Sequence, residues 1–345
     1  MKRVLIVSDA WDRQTNGVVT TLRRTHEYLV SQGIEVEIIG PERFLNVPMP
    51  GYSEIRLALF AGSKLSQLIS QFDPDAIHIS TEGPLGIAAR RYCLNRKLPF
   101  TTSFHTRFPD YVRSRLPIPT AWTWAWLRRF HAKSSAVMTA TQALQSELEE
   151  RGFKRLVRWS RGVDHQLFQP RLDAIERARP RLIYLGRVAV EKNVEDFLQL
   201  DQRMDVELVV VGDGPARSDL QKRYPNAQWR GLMEGEALAQ ALADADCLVF
   251  PSRTDTFGLV MVEALACGTP VAAYPEQGPK EVVTPKSGSL NADLTQAVAQ
   301  ALTCDRRDAW ARGQEFTWQR AGQQFQRTLS LVSYKRHSDV IATSL

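Results

Sequence analysis

Two carboxylates stand eight positions apart in the segment Pro251-Ser252-Arg253-Thr254-Asp255-Thr256-Phe257-Gly258-Leu259-Val260-Met261-Val262-Glu263-Ala264. The apolar run 245–250 before it reads as a buried strand, Pro251 and Ser252 end that strand, and 259–266 reads as a helix. Asp255 then lies in the loop and Glu263 about two turns into the helix. The N–H groups of Phe257, Gly258 and Leu259 fall at the helix N-terminus, where unpaired donors and the positive dipole end favour a phosphate. One segment thereby offers a carboxylate for sugar hydroxyls, an anion hole and a second carboxylate for a ribose. The competing reading is a solvated strand-turn-helix with incidental acids.

Cations that could face the same anion lie in Gly186-Arg187-Val188-Ala189-Val190-Glu191-Lys192-Asn193. Arg187 and Lys192 are five residues apart on a loop entering a helix, so a planar fork and a mobile point charge can converge on one group. Val211-Gly212-Asp213-Gly214-Pro215 ends a strand in a tight turn, whose glycines either admit a nucleotide close to the backbone or only turn the chain. No metal-ligand cluster appears, since Asp12, Asp73 and Asp75 are dispersed and no D-x-D stands beside these motifs. The physical expectation is a metal-independent reaction without a cofactor, in which Arg187, Lys192 and helix-end amides stand in for a cation.

The elements that must carry these residues come in two sets. The first half has strand patterns at 3–7, 36–40, 76–79, 100–103 and 136–139, and the second at 181–185, 206–211, 246–250 and 271–274. Buried-looking strands alternating with glycine-bearing turns and helical patterns predict an α/β protein of two doubly wound sheets. The polar, proline-containing stretch Phe168-Gln169-Pro170-Arg171-Leu172-Asp173 reads as the linker, which divides the chain into 1–172 and 173–322, with a tail at 323–345 and a helix over 316–331. The first loop contains Asn16-Gly17-Val18, lacks G-x-G-x-x-G and so disfavours a nicotinamide dinucleotide; no Walker A sequence occurs anywhere. Asn-Gly is also a common turn.

A length of 345 residues accommodates two ordinary domains, and 43% hydrophobic with 24% charged residues is the balance of a soluble globular protein. Cys93, Cys247, Cys267 and Cys304 form no C-x-x-C pair and read as reduced residues of a cytosolic protein. The first apolar run is too short for a signal peptide, and uncharged stretches such as 116–127 reach twelve residues, far short of a membrane span. The net charge of +6 is uneven: residues 1–170 hold 23 Lys and Arg against 15 Asp and Glu. Such an excess suits an anionic surface, a membrane or a nucleic acid. No nucleic-acid-binding signature accompanies it, and that class is set aside.

Within the basic half, residues 113–133 combine Arg113, Arg115, Trp122, Trp124, Trp126, Arg128 and Arg129 with no acid. Trp122, Trp126 and Phe130 recur at four-residue spacing and would share a helix face. Tryptophans flanked by arginines suit a helix lying on anionic lipid; the alternative is a core helix with a solvated rim.

The segment from Asp255 to Glu263, continued by Ala264-Leu265-Ala266-Cys267-Gly268-Thr269-Pro270, resembles the acid-x7-acid signature of retaining glycosyltransferases of family 4, although that family usually has Glu where this chain has Asp255. The resemblance implies a GT-B fold, two Rossmann-like domains facing across a cleft, with the C-terminal helix returning to the first. It implies that Arg187 and Lys192 neutralise the donor diphosphate, that N–H groups of Gly17 and Val18 point at it, and that Gly212, Gly214, Leu232 and Met233 line the nucleotide. Thr102-Ser103-Phe104-His105-Thr106-Arg107-Phe108-Pro109-Asp110-Tyr111 is similar to lipid-directed members, diacylglycerol glycosyltransferases and sulfoquinovosyldiacylglycerol synthases among them. By that likeness His105 faces the donor sugar; a lone His beyond a strand is also a common structural hydrogen bonder. The implied activity is retaining transfer of a hexose from a nucleoside diphosphate sugar, UDP-glucose or a related UDP-sugar, to a membrane lipid, diacylglycerol first. The enzyme would sit peripherally on the inner face of the cytoplasmic membrane. A GDP-mannose-dependent mannosyltransferase acting on a phosphoinositide is the rival enzyme, and a membrane-binding scaffold the rival from outside catalysis.

Overall fold

The computed structural model describes residues 1–11, 16–49, 52–105, 119–173 and 176–332. The chain forms two compact units, Met1–Ser160 together with the chain from Gln319 on, and Arg161–Trp318.

The first unit is built on β1 (Arg3–Val7), β2 (Glu35–Ile39), β3 (Asn46–Met49), β4 (Tyr52–Ala58), β5 (Ala76–Ile79), β6 (Thr101–Phe104), β7 (Ala136–Thr139) and β8 (Leu156–Arg158). Six of these make one parallel sheet in the order β2-β1-β5-β6-β7-β8, and β3 and β4 pair antiparallel by themselves. Every residue of β5, β6 and β7 is buried, as parallel strands must be when crossover helices cover both faces. Helices Gly62–Phe72 and Pro84–Asn95 close one layer through Leu65, Ile69, Leu85 and Ala89 against Leu5, Val7, Ile77 and Ile79. Helices Thr120–His131 and Gln142–Glu150 contribute Trp124, Leu127, Leu144 and Leu148 to a second cluster around Phe104 and Val137.

The helix Trp318–Val332 completes this unit from the far end of the chain. Its Ala321, Phe325 and Leu329 are fully buried. The Phe325 ring lies 4.9 Å from both His78 and Trp159, and Gln324 Oε1 accepts from Ser160 N–H at 2.7 Å.

The second unit carries β9 (Arg181–Leu185), β10 (Glu207–Val211), β11 (Gln228–Gly231), β12 (Cys247–Phe250), β13 (Val271–Ala273) and β14 (Gly288–Leu290), all parallel, in the order β11-β10-β9-β12-β13-β14. Chain order reverses between β9 and β12. In doubly wound sheets the crevice at the carboxyl ends of the strands flanking such a reversal takes the ligand. The corresponding point of the first sheet lies between β1 and β5.

The expected linker belongs to the second unit, so that unit begins at Arg161 rather than at 173. The reason is local packing: Val163 bridges Thr317, Arg171 N–H donates to the Cys267 carbonyl at 3.1 Å, and Arg306 Nε donates to the Arg171 carbonyl at 2.6 Å. Cys93, Cys247 and Cys267 are buried thiols and Cys304 is partly exposed.

Candidate active site

The reversal point of the second sheet brings together two of the sequence motifs. The loop leaving β9 carries Arg187 and Lys192, and the loop leaving β12 carries Asp255. Lys192 ends a 3-10 turn, Asn193 follows in the left-handed region, and its Nδ2 donates to the Pro251 carbonyl at 3.3 Å. Thr254 Oγ1 donates to the Glu191 carbonyl at 3.4 Å, so side chains stitch the two loops together.

At their junction Lys192 Nζ donates to both Asp255 oxygens, at 2.7 and 2.8 Å. Burial alone would raise the Asp255 carboxyl, but the Lys192 charge and hydrogen bonds, with Ser252, hold it below the ordinary aspartate value. The cation expected on a diphosphate and the carboxylate expected on a sugar are therefore direct partners.

Glu263 is the fifth residue of the helix Leu259–Ala266, little more than one turn in rather than two. Burial pushes its carboxyl up to about 7. That helix begins after Gly258, whose φ is 87°, with no side-chain cap; Met261 N–H donates to the Gly258 carbonyl at 3.1 Å. Phe257, Gly258 and Leu259 stand at the start of this helix.

Gly212 and Gly214 have a packing role. A Cβ on Gly212 would stand 1.9 Å from the Gly186 carbonyl oxygen, and one on Gly214 2.3 Å from that of Val188. These glycines let the loop after β10 lie against the loop carrying Arg187. Leu232, just past β11, is 71% exposed, and Met233 follows it.

Gly17 and His105 belong to the first unit. Gly17 opens the helix Gly17–Ser31, but the N–H groups of Val18 and Val19 both donate to Asn16 Oδ1 at 3.0 Å. The Val18 amide is thus engaged in the helix cap and does not point outward as expected. His105 follows β6; its Nε2 lies 3.0 Å from Ser80 Oγ and its ring 5.5 Å from that of Trp159.

Sequence reasoning missed Asp9, which follows β1. Its carboxylate accepts from Leu85 N–H at 2.9 Å, Gly86 N–H at 3.3 Å and Thr81 Oγ1 at 2.8 Å, and so closes the N-terminus of the helix Pro84–Asn95. It also missed the buried His131, placed between Thr102 Oγ1 at 2.9 Å and Glu82 Oε1 at 3.2 Å. An acid directly after a buried strand was the available signal for Asp9; His131 gave none.

The tryptophan helix Thr120–His131 differs from its expected face. Trp124 is core: it stacks on Phe104 with planes 2° apart, and Arg151 covers its other side at 4.1 Å. Phe130 is buried too. Trp122 and Trp126 are exposed and, with Ala125 and Arg129, occupy positions i, i+4, i+3 and i+7, one stripe of the helix, beside the exposed Arg128. Alternate tryptophans cannot share a face at 3.6 residues per turn, which is why Trp124 parts from the other two. Arg113 and Arg115 lie outside the described residues. Among the described residues no helix is long and apolar enough to cross a membrane.

Two parallel-sheet, Rossmann-like units in one chain are the architecture of the GT-B class of glycosyltransferases. Residues 15–167 match Glycosyltransferase Family 4 and residues 179–304 match Glycosyl transferases group 1. A GDP-mannose-dependent alpha-mannosyltransferase of Mycobacterium tuberculosis is 30% identical over 313 residues, 84% of this chain and 83% of the relative. Sulfoquinovosyl transferase SQD2 of Arabidopsis thaliana is 30% identical over 75% of this chain and 53% of its own length. Alpha-monoglucosyldiacylglycerol synthase of Streptococcus pneumoniae is 25% identical over 87% and 78%. The chain belongs to glycosyltransferase family 4 and is an enzyme that transfers a sugar from a nucleotide sugar. Among solved structures, sucrose-phosphate synthase from Thermosynechococcus elongatus covers the whole of both chains with a TM-score of 0.75 at 20% identity. Anabaena HepE in complex with UDP and glucose covers 96% of this chain and all of its own, with 0.71 at 15%. Both share the fold.

Proposed function

We propose that this enzyme moves a hexose, with retention, from a nucleoside diphosphate sugar to a membrane lipid, diacylglycerol being the acceptor favoured. The observation that carries the catalytic half is the junction of Lys192 and Asp255 beside the Arg187 turn and the uncapped helix end at Gly258. In this reading Arg187, Lys192 and the amides of Phe257, Gly258 and Leu259 take the diphosphate, Glu263 the ribose and Asp255 the sugar hydroxyls. Within the second unit Gly212, Gly214, Leu232 and Met233 serve the nucleotide. Cations and amides stabilise charge as the diphosphate leaves, the acceptor hydroxyl attacks on the same side, and the leaving phosphate takes its proton. No resident metal is needed, so a chelator should leave transfer unchanged.

The lipid half is supported by a relative named for monoglucosyldiacylglycerol synthesis and by the exposed stripe of Trp122 and Trp126 with Arg128 and Arg129. That stripe suits the inner face of a cytoplasmic membrane rich in anionic lipid. For the donor, a UDP-hexose is the first reading. A GDP-mannose donor with a phosphoinositide acceptor is the second, favoured by the 30% identity to mannosyltransferases named for that donor. Radiolabelled UDP-glucose, UDP-galactose, UDP-glucuronate and GDP-mannose, each offered with vesicles holding diacylglycerol or phosphatidylinositol, decide between them. Label entering no lipid from any donor would overturn the lipid acceptor.

A further inference from the structure

Tyr184 lies in β9, three residues before Arg187, in an apolar run that sequence reading treats only as core. It is 3% exposed and packs on Phe197 with ring centroids 5.9 Å apart. Its hydroxyl donates to the carbonyl of Arg187 at 2.7 Å. The neighbouring groups of that turn are met by backbone: Gly186 N–H donates to the Val211 carbonyl at 3.1 Å, Val188 N–H to that of Asp213 at 2.9 Å, and Ala216 N–H to that of Val188 at 3.1 Å. The Arg187 carbonyl is met by a side chain instead. Burial, followed by the Asp255 and Glu191 carboxylates, holds the phenol well above its ordinary pKa, so the hydroxyl keeps its proton at any working pH.

The structure assigns Tyr184 as a positioning residue for Arg187, fixing the peptide from which the guanidinium departs. The assignment rests on Arg187 acting on the donor diphosphate. A peptide held at only one end can rotate, and its rotation swings the root of the side chain; misplacement by about 1 Å at a reacting centre costs up to about 10²-fold in rate. Tyr184→Phe keeps the ring packing and removes only the donor to a buried carbonyl.

The test is a double-mutant cycle of Tyr184→Phe and Arg187→Ala, with kcat, donor KM for UDP-glucose and GDP-mannose, and thermal melting on each protein. Tyr184→Phe is expected to lower kcat about tenfold with a smaller change in KM, and to lower nothing further in the Arg187→Ala background. If Arg187→Ala is impaired while Tyr184→Phe is not, or if the two losses multiply, the positioning role is wrong and the Arg187 role stands. If Arg187→Ala turns over normally, the diphosphate reading itself fails and takes this assignment with it. Should Tyr184→Phe not fold, exchange of the Tyr184 hydroxyl proton in the unsubstituted protein decides: slow exchange is expected of a buried hydroxyl bonded to the Arg187 carbonyl, and exchange as fast as an exposed tyrosine's would overturn the proposal.

Discussion

On the proposed reading Arg187 and Lys192 answer one anion in different ways, a planar fork and a point charge, the latter held by Asp255 at 2.7 Å. Arg187→Ala and Lys192→Ala should each lower transfer about 10²–10³-fold in protein that still folds, because each removes a preorganised charge. Turnover within a few-fold of wild type at saturating donor would refute both assignments. Lys192→Ala also leaves the half-buried Asp255 without its cation, so its carboxyl should rise, and transfer by that variant should become more sensitive to acid than transfer by Arg187→Ala.

Glu263 supplies a sign that can be worked out. Its folded pKa of about 7 exceeds the ordinary 4.5, so the folded state holds the proton more tightly. The associated stability is fully present below 4.5 and is lost as pH rises through 7. Glu263→Gln should therefore gain melting temperature relative to wild type on going from pH 5 to about pH 8. Ribose hydroxyls donating to the carboxylate favour its ionised form, so affinity for nucleoside diphosphate should climb across the same range in wild type and climb less in the variant. Calorimetric titrations at pH 6 and pH 8, each compared with Glu263→Gln, check this; equal pH dependence in the two proteins would separate Glu263 from the ribose.

The helix Thr120–His131 presents the sharpest contrast between neighbouring side chains. Trp124→Ala empties a stacked, 9% exposed site and should cost about 3–5 kcal/mol, read as a lowered urea midpoint. Trp122 is 73% exposed, and Trp122→Ser with Trp126→Ser should leave that midpoint unchanged while releasing the protein from anionic vesicles. Arg128→Gln with Arg129→Gln should weaken vesicle binding further at low salt, by about 1 kcal/mol per charge. Cosedimentation that ignores all four changes would return this stripe to plain surface.

The same helix shows what could be read before folding. Its existence and its tryptophan-arginine content were legible, but which tryptophan enters the core depends on Phe104 and Arg151, 20 and 27 positions away from Trp124. The long buried strands were legible from their continuous apolar runs, 3–7 and 181–185 most plainly. The three-residue edges β8 and β14 and the four-residue, polar β11 were not, since so few residues carry no period, and the β3–β4 pair was missed as well. Arg187, Lys192 and Asp255 announce themselves as charges between regular elements, and Glu263 as a lone charge in an apolar helix. Tyr184, Ser80 and Asp9 act through hydrogen bonds that only the fold creates.

Across the molecule, the first sheet depends on a helix encoded after the second. A chain ending at Trp318 would expose the site of Phe325 beside His78 and Trp159, and would lose the buried Leu329. Such a truncation should loosen the first unit while the second keeps its affinity for UDP or GDP. Limited proteolysis mapping new cuts within residues 1–160, together with nucleotide titration, checks it; cuts confined to 161–318 would contradict the division.

That dependence has a consequence in time. The 158 residues from Arg161 to Trp318 emerge from the ribosome between the two parts of the first unit. At about 5–20 residues per second the opening sheet waits about 8–30 s for the segment that seals it. Over that interval the apolar walls around His78 and Trp159 stand open to water, and the later unit has its whole sequence before the earlier one does. Apolar surface exposed in this way is prone to aggregate, so synonymous codon changes that slow translation of the middle unit should lower the yield of active enzyme without altering a single residue.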